Sequence, residues 1–497
     1  VSGMIPYGYN YEDLSVRAVM AAVTAYQKSR RSSSSPFKLT VTSSGIGLHV
    51  LAAMGVVNTN YQDIISVGDL YLEAFLQLGY IHIEREYDGR RAPYIIILEE
   101  SWVELGDLPP EYLRNTLIGT SFTKPKDIDS LRNEFTQKPY IKRMSSEEDF
   151  AKVIDAPFVR ALNKLQQTPW RLNGKLARAL ETNLELFIDI NCASVKSRSK
   201  AIEMKFIMSK VHAIGLNTFY QMVECDYRGR IYYTEPFLNF QGSDVSKGLF
   251  EFAEAKPINT AGFKWLCIHT ACSYNQSYEL GEIPSWVTAD YQAYLQEEGL
   301  TTISVDKMTM KDRELWTLNN LDLINRLADG QSFVLDAEKP VSFLACCFDV
   351  QGYLQAKAVG EEHLSHLPIP VDGSNNGWQH LAAISKDQQA GELVSLVPSE
   401  IQKDFYVQVA KRLIERLPEW FSERNMPMKA IRKGLAKRGS MTRAYSAGQK
   451  KIAVNMYTDC KVEGYDIKYN ISEDDCTLLS KQLILAINDT CVGPLKT

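Results

Sequence analysis

Residues 368–383, "PIPVDGSNNGWQHLAA", decide how this chain is read. An apolar lead-in, Ile369 and Val371, stops at Asp372. Small polar residues and glycines follow, and Trp378, Leu381 and Ala382 then resume an apolar pattern. Such a lead-in predicts a buried strand that ends on a carboxylate. One reading is a plain Asp-Gly turn, in which glycine supplies unusual backbone angles. The other is a metal-binding carboxylate on rigid sheet, with open space beside it for a substrate.

The bulk properties admit either. A chain of 497 residues can hold two or three domains and bury large cores. At 45% hydrophobic and 23% charged, its composition is that of an ordinary globular protein. No apolar run is long enough for a membrane span, and the start, "VSGMIPYGYNYEDL", lacks the basic and apolar regions of a signal peptide. The nine cysteines are scattered without zinc-type spacing, as free thiols of a reducing compartment would be. Cys346 and Cys347 lie within "VSFLACCFDV", which reads as a buried strand.

Charge narrows the choice. The net charge is −5, yet from Arg424 to Thr458 there are nine Lys or Arg and no Asp or Glu. Such a block sets up a local positive field suited to nucleic acid or polyphosphate. Within it, "AIRKGLAKRGSMTRAYSAG" (430–448) predicts a helix with Lys433, Lys437, Met441 and Tyr445 on one face. Two ammonium groups one turn apart make a polyphosphate clamp. A phenol about 12 Å further along would reach sugar and base. Gly434 and Gly439 weigh against a regular helix, each costing about 1 kcal/mol relative to alanine. A metal-binding Asp372 and a lysine-lined helix together supply what phosphoryl transfer needs.

The remaining chain supplies a frame. "KSRRSSSSPFK" (28–38) predicts a flexible loop, and two amphipathic stretches after it predict helices. "YIHIEREYDGRRAPYIIIL" predicts a hairpin around Asp88-Gly89. Helices followed by a hairpin fit either a winged-helix DNA-binding element or a small α+β packing domain. "GDLPPEYL" and "SFTKPKDID" read as linkers, residues 145–215 as helical, and the chain beyond 225 as mixed. In "VPSEIQKDFYVQVAKRLIERL", Ser399 and Gln402 suggest a capping box, with Ile401, Phe405, Val409 and Leu413 on one face.

At this point the residues carry a resemblance. "DGSNNGWQHLAA", with "LVPSEIQKDFY" downstream, resembles the first catalytic motif of the single-subunit, bacteriophage-type RNA polymerases of phages, mitochondria and chloroplasts. "RKGLAKRGSMTRAYSAG" resembles their second motif, on the fingers helix. "DYRGRIYYTEPFLNFQGSDVSKGLF" (226–250) resembles their Gly-Arg motif. Weaker matches are "TPWRLN", "WLCIHTA", "VDKMT" and "SFLACCFD", and the order agrees from about residue 165 to 450.

The resemblance implies a helix-rich α+β, right-hand polymerase. An N-terminal domain (1–140) would precede a helical thumb-like region (141–220), a palm part (221–400) and a fingers part (401–497). It implies DNA-dependent RNA synthesis with two Mg²⁺ ions. Asp372 would bind metal, with the Gly373 carbonyl as a further ligand. Lys437, Lys433 and Lys307 would hold the triphosphate, with Arg438 beside them, and Tyr445 would sit at the sugar. Gly229, Arg230, Gln241 and Lys247 would support the template or RNA–DNA hybrid. Two positions depart from the family: Lys433 replaces its arginine, with Arg432 adjacent, and Ser446 replaces its glycine. Family-A DNA polymerases carry a glutamate five residues after the metal aspartate; here that position is Gly377, which favours ribonucleotides.

The family's third motif, His-Asp-Ser, is not found, since none of the seven histidines precedes an aspartate. Asp459, Asp474, Asp475 and Asp489 sit in polar contexts unsuited to replace it. The palm is therefore expected to be incomplete in this chain and closed by a second polypeptide, as in a split, heterodimeric phage enzyme; a truncated polymerase is the alternative. Expected partners are DNA template, nascent RNA, ribonucleoside triphosphates, the second subunit and a promoter-loading factor, without a membrane. The expected location is the cytoplasm, that of a bacterial host for a phage protein. The competing readings are an inactive nucleic-acid-binding scaffold and a family-A DNA polymerase.

Overall fold

The computed structural model describes residues 119–133, 139–187, 195–399, 401–491 and 493, with three strands and scattered helical positions before them. The chain forms two compact units, Val1–Glu254 and Ala255–Thr497. The division falls inside the segment expected as palm. No described helix is long and apolar enough to cross a membrane.

In the first unit, β1 (Lys38–Thr40), β2 (Ile81–Glu84) and β3 (Ile95–Leu98) form an antiparallel sheet in the order β1-β3-β2. β2 and β3 are the arms of the expected hairpin, paired in register from Ile81↔Leu98 to Glu84↔Ile95. Runs of isoleucine suit the pleated surface. The hairpin tip at Asp88-Gly89, most of the Ser-rich segment and "GDLPPEYL" lie outside the described residues.

The rest of this unit is a helical layer stitched by short strand pairs. β4 (Thr120–Ser121) is followed by α1 (Pro157–Gln166), whose proline sits in the first turn, where no helical N–H is needed. α1 buries Val159 and Leu162 against Leu131 and Phe150. After β5 (Trp170–Leu172), Asn173 caps α2 (Gly174–Thr182) by accepting from the Leu176 N–H at 2.9 Å. α3 (Val195–Ile214) leads into β6 (Tyr220–Gln221), which pairs with β4, and then into the hairpin β7 (Val223–Cys225) and β8 (Ile231–Tyr233). α4 (Asp244–Leu249) runs straight into β9 (Phe250–Phe252), which pairs with β5. Trp170 is packed by Phe240, Phe250 and Phe252, with ring centres 4.9–5.3 Å apart.

The second unit is almost wholly helical. β10 (Lys256–Pro257) precedes α5 (Thr260–Tyr274) and β11 (Ser277–Glu279). α6 (Ala289–Glu297) and β12 (Thr302–Ser304) follow, β12 pairing with β11. Next come α7 (Met310–Asn319), α8 (Leu321–Gly330) and α9 (Pro340–Ala358). α9 contains "VSFLACCFDV", so the expected strand is a helix. It buries Val341, Phe343, Leu344, Cys346, Cys347 and Val350, and packs against both α5 and α8. A helix buried on several sides reads as a continuous apolar run, which periodicity cannot tell from a buried strand.

β13 (Leu364–Ser365) pairs with β10. Beyond it lie α10 (Asn376–Ser385), α11 (Gln388–Leu393), α12 (Phe405–Arg416) and α13 (Pro418–Arg424). A π-helical segment (Ile431–Ala436) continues into α14 (Lys437–Arg443), followed by α15 (Gln449–Val462) and α16 (Glu473–Thr490). One core joins Trp378, Phe405, Val409, Leu413, Ile431, Leu435, Ile452, Leu483 and Ile487. α12 begins later than its expected capping box. Its cap is Asp404, whose Oδ1 accepts from the Tyr406 and Val407 N–H groups at 2.9 and 3.2 Å. Ser399 instead donates to the Ile401 carbonyl, and Gln402 donates to Ser374 Oγ at 3.1 Å.

Candidate functional site

Asp372 is not on a strand. Leu367–Gly373 is irregular and makes no backbone–backbone hydrogen bond among the described residues, and Val371 is 94% exposed. A strand needs a neighbouring main chain to take up its N–H and C=O groups, and among the described residues none is hydrogen-bonded to this one in that way. The base of the segment is nevertheless fixed. Asp349 on α9 accepts from Ser365 Oγ at 2.7 Å and lies 2.8 Å from His363 Nε2. The Leu367 N–H donates onward to Ser365 Oγ at 3.2 Å. At the other end Asn375 takes a left-handed backbone (φ +57°), and its side-chain oxygen accepts from the Tyr406 hydroxyl. Asp372 therefore sits on a bare span between two anchored ends.

The small residues after it do different work. A Cβ on Gly373 would meet nothing closer than 3.5 Å. A Cβ on Gly377 would lie 2.7 Å from the Ala444 Cβ and 3.4 Å from the Tyr445 ring. The space beside Gly377 is thus filled by Ala444 and Tyr445, the two residues that follow Arg443.

Asp372 and Gly373 line a cleft of about 480 Å³ within the second unit, together with Lys307, Arg432 and Lys437. Tyr406, Gln402 and Asp404 form another part of its wall. Burial lowers the Lys437 pKa, and nearby Arg432 and Lys307 lower it further, against the opposing pull of Asp404 and Asp306. Lys307 is paired with Asp306 at 2.6 Å. Burial pushes the Tyr406 phenol up to about 12, so it stays a hydrogen-bond donor at neutral pH.

The basic helix departs from its expected geometry. The π-helical segment holds five residues per hydrogen-bonded step instead of four, so the regular Lys433–Lys437 face is broken. Arg432, not Lys433, joins Lys437 in lining the cleft. Lys433 lies 2.6 Å from Glu463, whose hydrogen bond raises its pKa, and Arg438 lies 2.7 Å from Asp459. Neither Lys433 nor Arg438 lines the cleft. Helix α14 ends at Arg443, which leaves Tyr445 in the turn after it, 67% exposed. Ser446 follows with φ +65°, the left-handed conformation that glycine adopts without strain.

The Gly-Arg motif lies in the first unit, on the β7–β8 turn. Asp226 ties it together by accepting from the Arg228 and Arg230 N–H groups, both at 2.9 Å, and from Arg228 Nη2 at 2.8 Å. Gly229 supplies the required φ of +79° and leaves Arg230 exposed. Gln241 binds the edge of β8, accepting from the Tyr233 N–H and donating to the Ile231 carbonyl. Lys247 is exposed on α4.

Sequence reasoning missed Arg432, Asp404 and Gln402 as cleft residues. The available signals were the paired "RK" before Gly434 and the aspartate two residues before the amide it caps.

An exposed carboxylate in a cleft lined by five lysine or arginine side chains, Lys307, Lys403, Lys429, Arg432 and Lys437, has the charge pattern that phosphoryl or nucleotidyl transfer calls for. Residues 256–490, just under half of the chain, match the family model of DNA-dependent RNA polymerase, and through this part the chain is similar to the single-subunit, phage-type RNA polymerases of mitochondria and chloroplasts. It is 33% identical over 201 residues to the mitochondrial DNA-directed RNA polymerase 1 of Arabidopsis thaliana, covering 40% of this chain and 18% of that one. It is 30% identical over 250 residues to the mitochondrial DNA-directed RNA polymerase of Neurospora crassa, covering 49% and 16%. With the chloroplastic DNA-directed RNA polymerase 3B of Nicotiana tabacum it is 28% identical over 287 residues, covering 51% and 27%. The chain thus spans about a fifth of the length of the curated relatives it matches. The family match begins at the second unit, leaves the Gly-Arg segment outside, and runs on through α16. These relatives are named as organellar enzymes, which does not support the expected cytoplasmic location.

The family implies a divalent cation. Among the described residues no cluster of three acidic, His or Cys side chains forms an all-protein cage. Magnesium commonly binds through one or two carboxylates plus water and substrate phosphates. Asp372 and the Gly373 carbonyl fit the protein's share of such a site.

Proposed function

We propose that this chain carries the nucleotide-binding half of a template-directed RNA polymerase. The reaction joins the 3′-hydroxyl of RNA to the α-phosphate of a paired ribonucleoside triphosphate and releases pyrophosphate. The observation that carries this reading is the cleft shared by Asp372, Lys307 and Lys437, which come from three separate sequence segments. Two Mg²⁺ ions, held in part by Asp372 and Gly373, would supply Lewis-acid charge to the reacting oxygens.

The chain's own residues do the rest. Lys437 and Lys307 neutralise the triphosphate, and the desolvation that lowers the Lys437 pKa also strengthens its pull on phosphate. Tyr445, packed over Gly377, meets the sugar and selects ribose. In the first unit, Gly229, Arg230, Gln241 and Lys247 hold the template or hybrid. The Ile369–Asp372 backbone, which pairs with no other main chain among the described residues, is the edge on which a second carboxylate-bearing strand would add. We assign that strand to a second polypeptide, with a promoter-loading factor as a further partner.

RNA extension on a preassembled RNA–DNA scaffold tests the reading, using the protein purified with whatever accompanies it. Asp372→Ala is expected to abolish extension and leave scaffold binding within twofold. Extension that survives the substitution would remove Asp372 from the chemistry. Extension absent from the wild-type complex as well would favour the scaffold alternative.

A further inference from the structure

The resemblance gives the triphosphate the cation four residues before Lys437, which is Lys433 in this chain. The geometry favours its neighbour. Lys433 is held by Glu463 at 2.6 Å, away from the cleft. Arg432 lines the cleft beside Lys437 and is clamped by Asp404, with Nη2 at 2.6 Å and Nε at 2.7 Å from Oδ2. The guanidinium lies 5.5 Å from the centre of the Tyr406 ring. The π-helical turn produces this exchange, because one extra residue per step moves the inward position back from Lys433 to Arg432. Tyr465 packs against Gly434 so closely that a Cβ there would lie 2.7 Å from the ring, which places a bulky neighbour at the middle of the π turn.

We propose that Arg432 is a triphosphate-binding residue of this cleft and that Asp404 holds it in reserve, giving up the guanidinium when phosphate arrives. The proposal rests on the polymerase reading. Arg432 presents a planar fork that matches two phosphate oxygens, which a lysine cannot do. Asp404 is suited to the exchange, since its other oxygen already serves as the cap of α12. Releasing Arg432 therefore leaves the carboxylate with partners. One charge-assisted pair replaces another, so the exchange needs no large rearrangement.

The test is the apparent affinity for the next ribonucleotide, measured by extension and by equilibrium binding on an RNA–DNA scaffold. Arg432→Ala is expected to weaken it more than tenfold, and Lys433→Ala less than threefold. Arg432→Lys, which keeps charge and most packing, should weaken it at least threefold at an unchanged melting temperature. Asp404→Asn is the decisive variant. Asparagine caps a helix as well as aspartate does, yet it frees the guanidinium, so affinity should rise two- to fivefold. A merely structural Arg432–Asp404 pair predicts unchanged or weaker binding in that variant, and this result overturns the proposal. So does a greater loss for Lys433→Ala than for Arg432→Ala. If the wild-type protein binds no ribonucleotide, the polymerase reading falls and takes this proposal with it. If it binds and the variants rank in reverse, only the assignment of Arg432 falls.

Discussion

The indole N–H of Trp378 donates to the Ser440 carbonyl across 2.9 Å, and both side chains are buried. This bond joins α10, which begins four residues after Asp372, to α14, which begins at Lys437. It sets the spacing of the two motifs through one directional contact. Trp378→Phe keeps much of the volume and removes the donor. The loss of bond and packing should cost about 1–3 kcal/mol of stability, read as a lower denaturant midpoint. Affinity for nucleotide should fall with it. An unchanged midpoint would show that the contact does not hold the two helices in place.

The close packing of Gly377 under Ala444 and Tyr445 makes a second prediction. Gly377→Ala forces a Cβ into a 2.7 Å contact and should destabilise by about 1–3 kcal/mol. It should also displace the Tyr445 ring and erode the preference for ribo- over deoxyribonucleotides. Tyr445→Phe separates the two effects. At 67% exposure its hydroxyl contributes little to folding, so stability should move by under about 0.5 kcal/mol. Discrimination, measured as the ratio of ribo- to deoxyribonucleotide incorporation, should still fall. Equal ratios in variant and wild type would remove Tyr445 from sugar selection.

Much of this site was legible because motif residues are chemical and local. Asp372 and Lys437 were named from type and spacing and Lys307 from the family resemblance, and the structure brings all three to one cleft. The misreadings have physical causes. Asp372 was expected on a strand because apolar alternation signals extended chain, but pairing depends on a neighbour that local pattern cannot supply. "VSFLACCFDV" was taken for a strand because α9 is buried from more than one side. Lys433 was placed beside Lys437 because i+4 spacing assumes 3.6 residues per turn, and the π turn breaks that period. Arg438 was placed with them by the resemblance and pairs instead with Asp459. The lack of acids in the basic block hid its pairing, since Asp459 and Glu463 lie just after it and Asp404 well before it.

Ser446 occupies a left-handed position where the family has glycine. A residue with a Cβ is strained there by roughly 1 kcal/mol. Ser446→Gly should relieve that strain and, after the entropy it adds to the unfolded chain, raise stability by up to about 1 kcal/mol. The measurement is the unfolding midpoint of the two proteins. A loss of stability would mean that the serine side chain holds the turn after Tyr445.

Asp226 gives a prediction in pH. Its partial desolvation would raise its pKa, but hydrogen bonds from the Arg230 N–H, the Arg228 side chain and the Arg228 N–H outweigh this and hold the carboxyl down at about 2. A carboxyl depressed on folding contributes stability above its unfolded value, 3.8, and loses that contribution as pH falls towards about 2. The β7–β8 turn should therefore keep its form from neutral pH to about pH 4 and loosen only below. Carboxyl NMR of selectively labelled protein should give Asp226 a midpoint well under 3.8. Asp226→Asn should abolish that titration and weaken template binding at neutral pH, because the amide loses the charge that anchors Arg228 and shapes the turn presenting Arg230. A normal carboxylate midpoint in the wild-type protein would mean that the turn is not held by this aspartate.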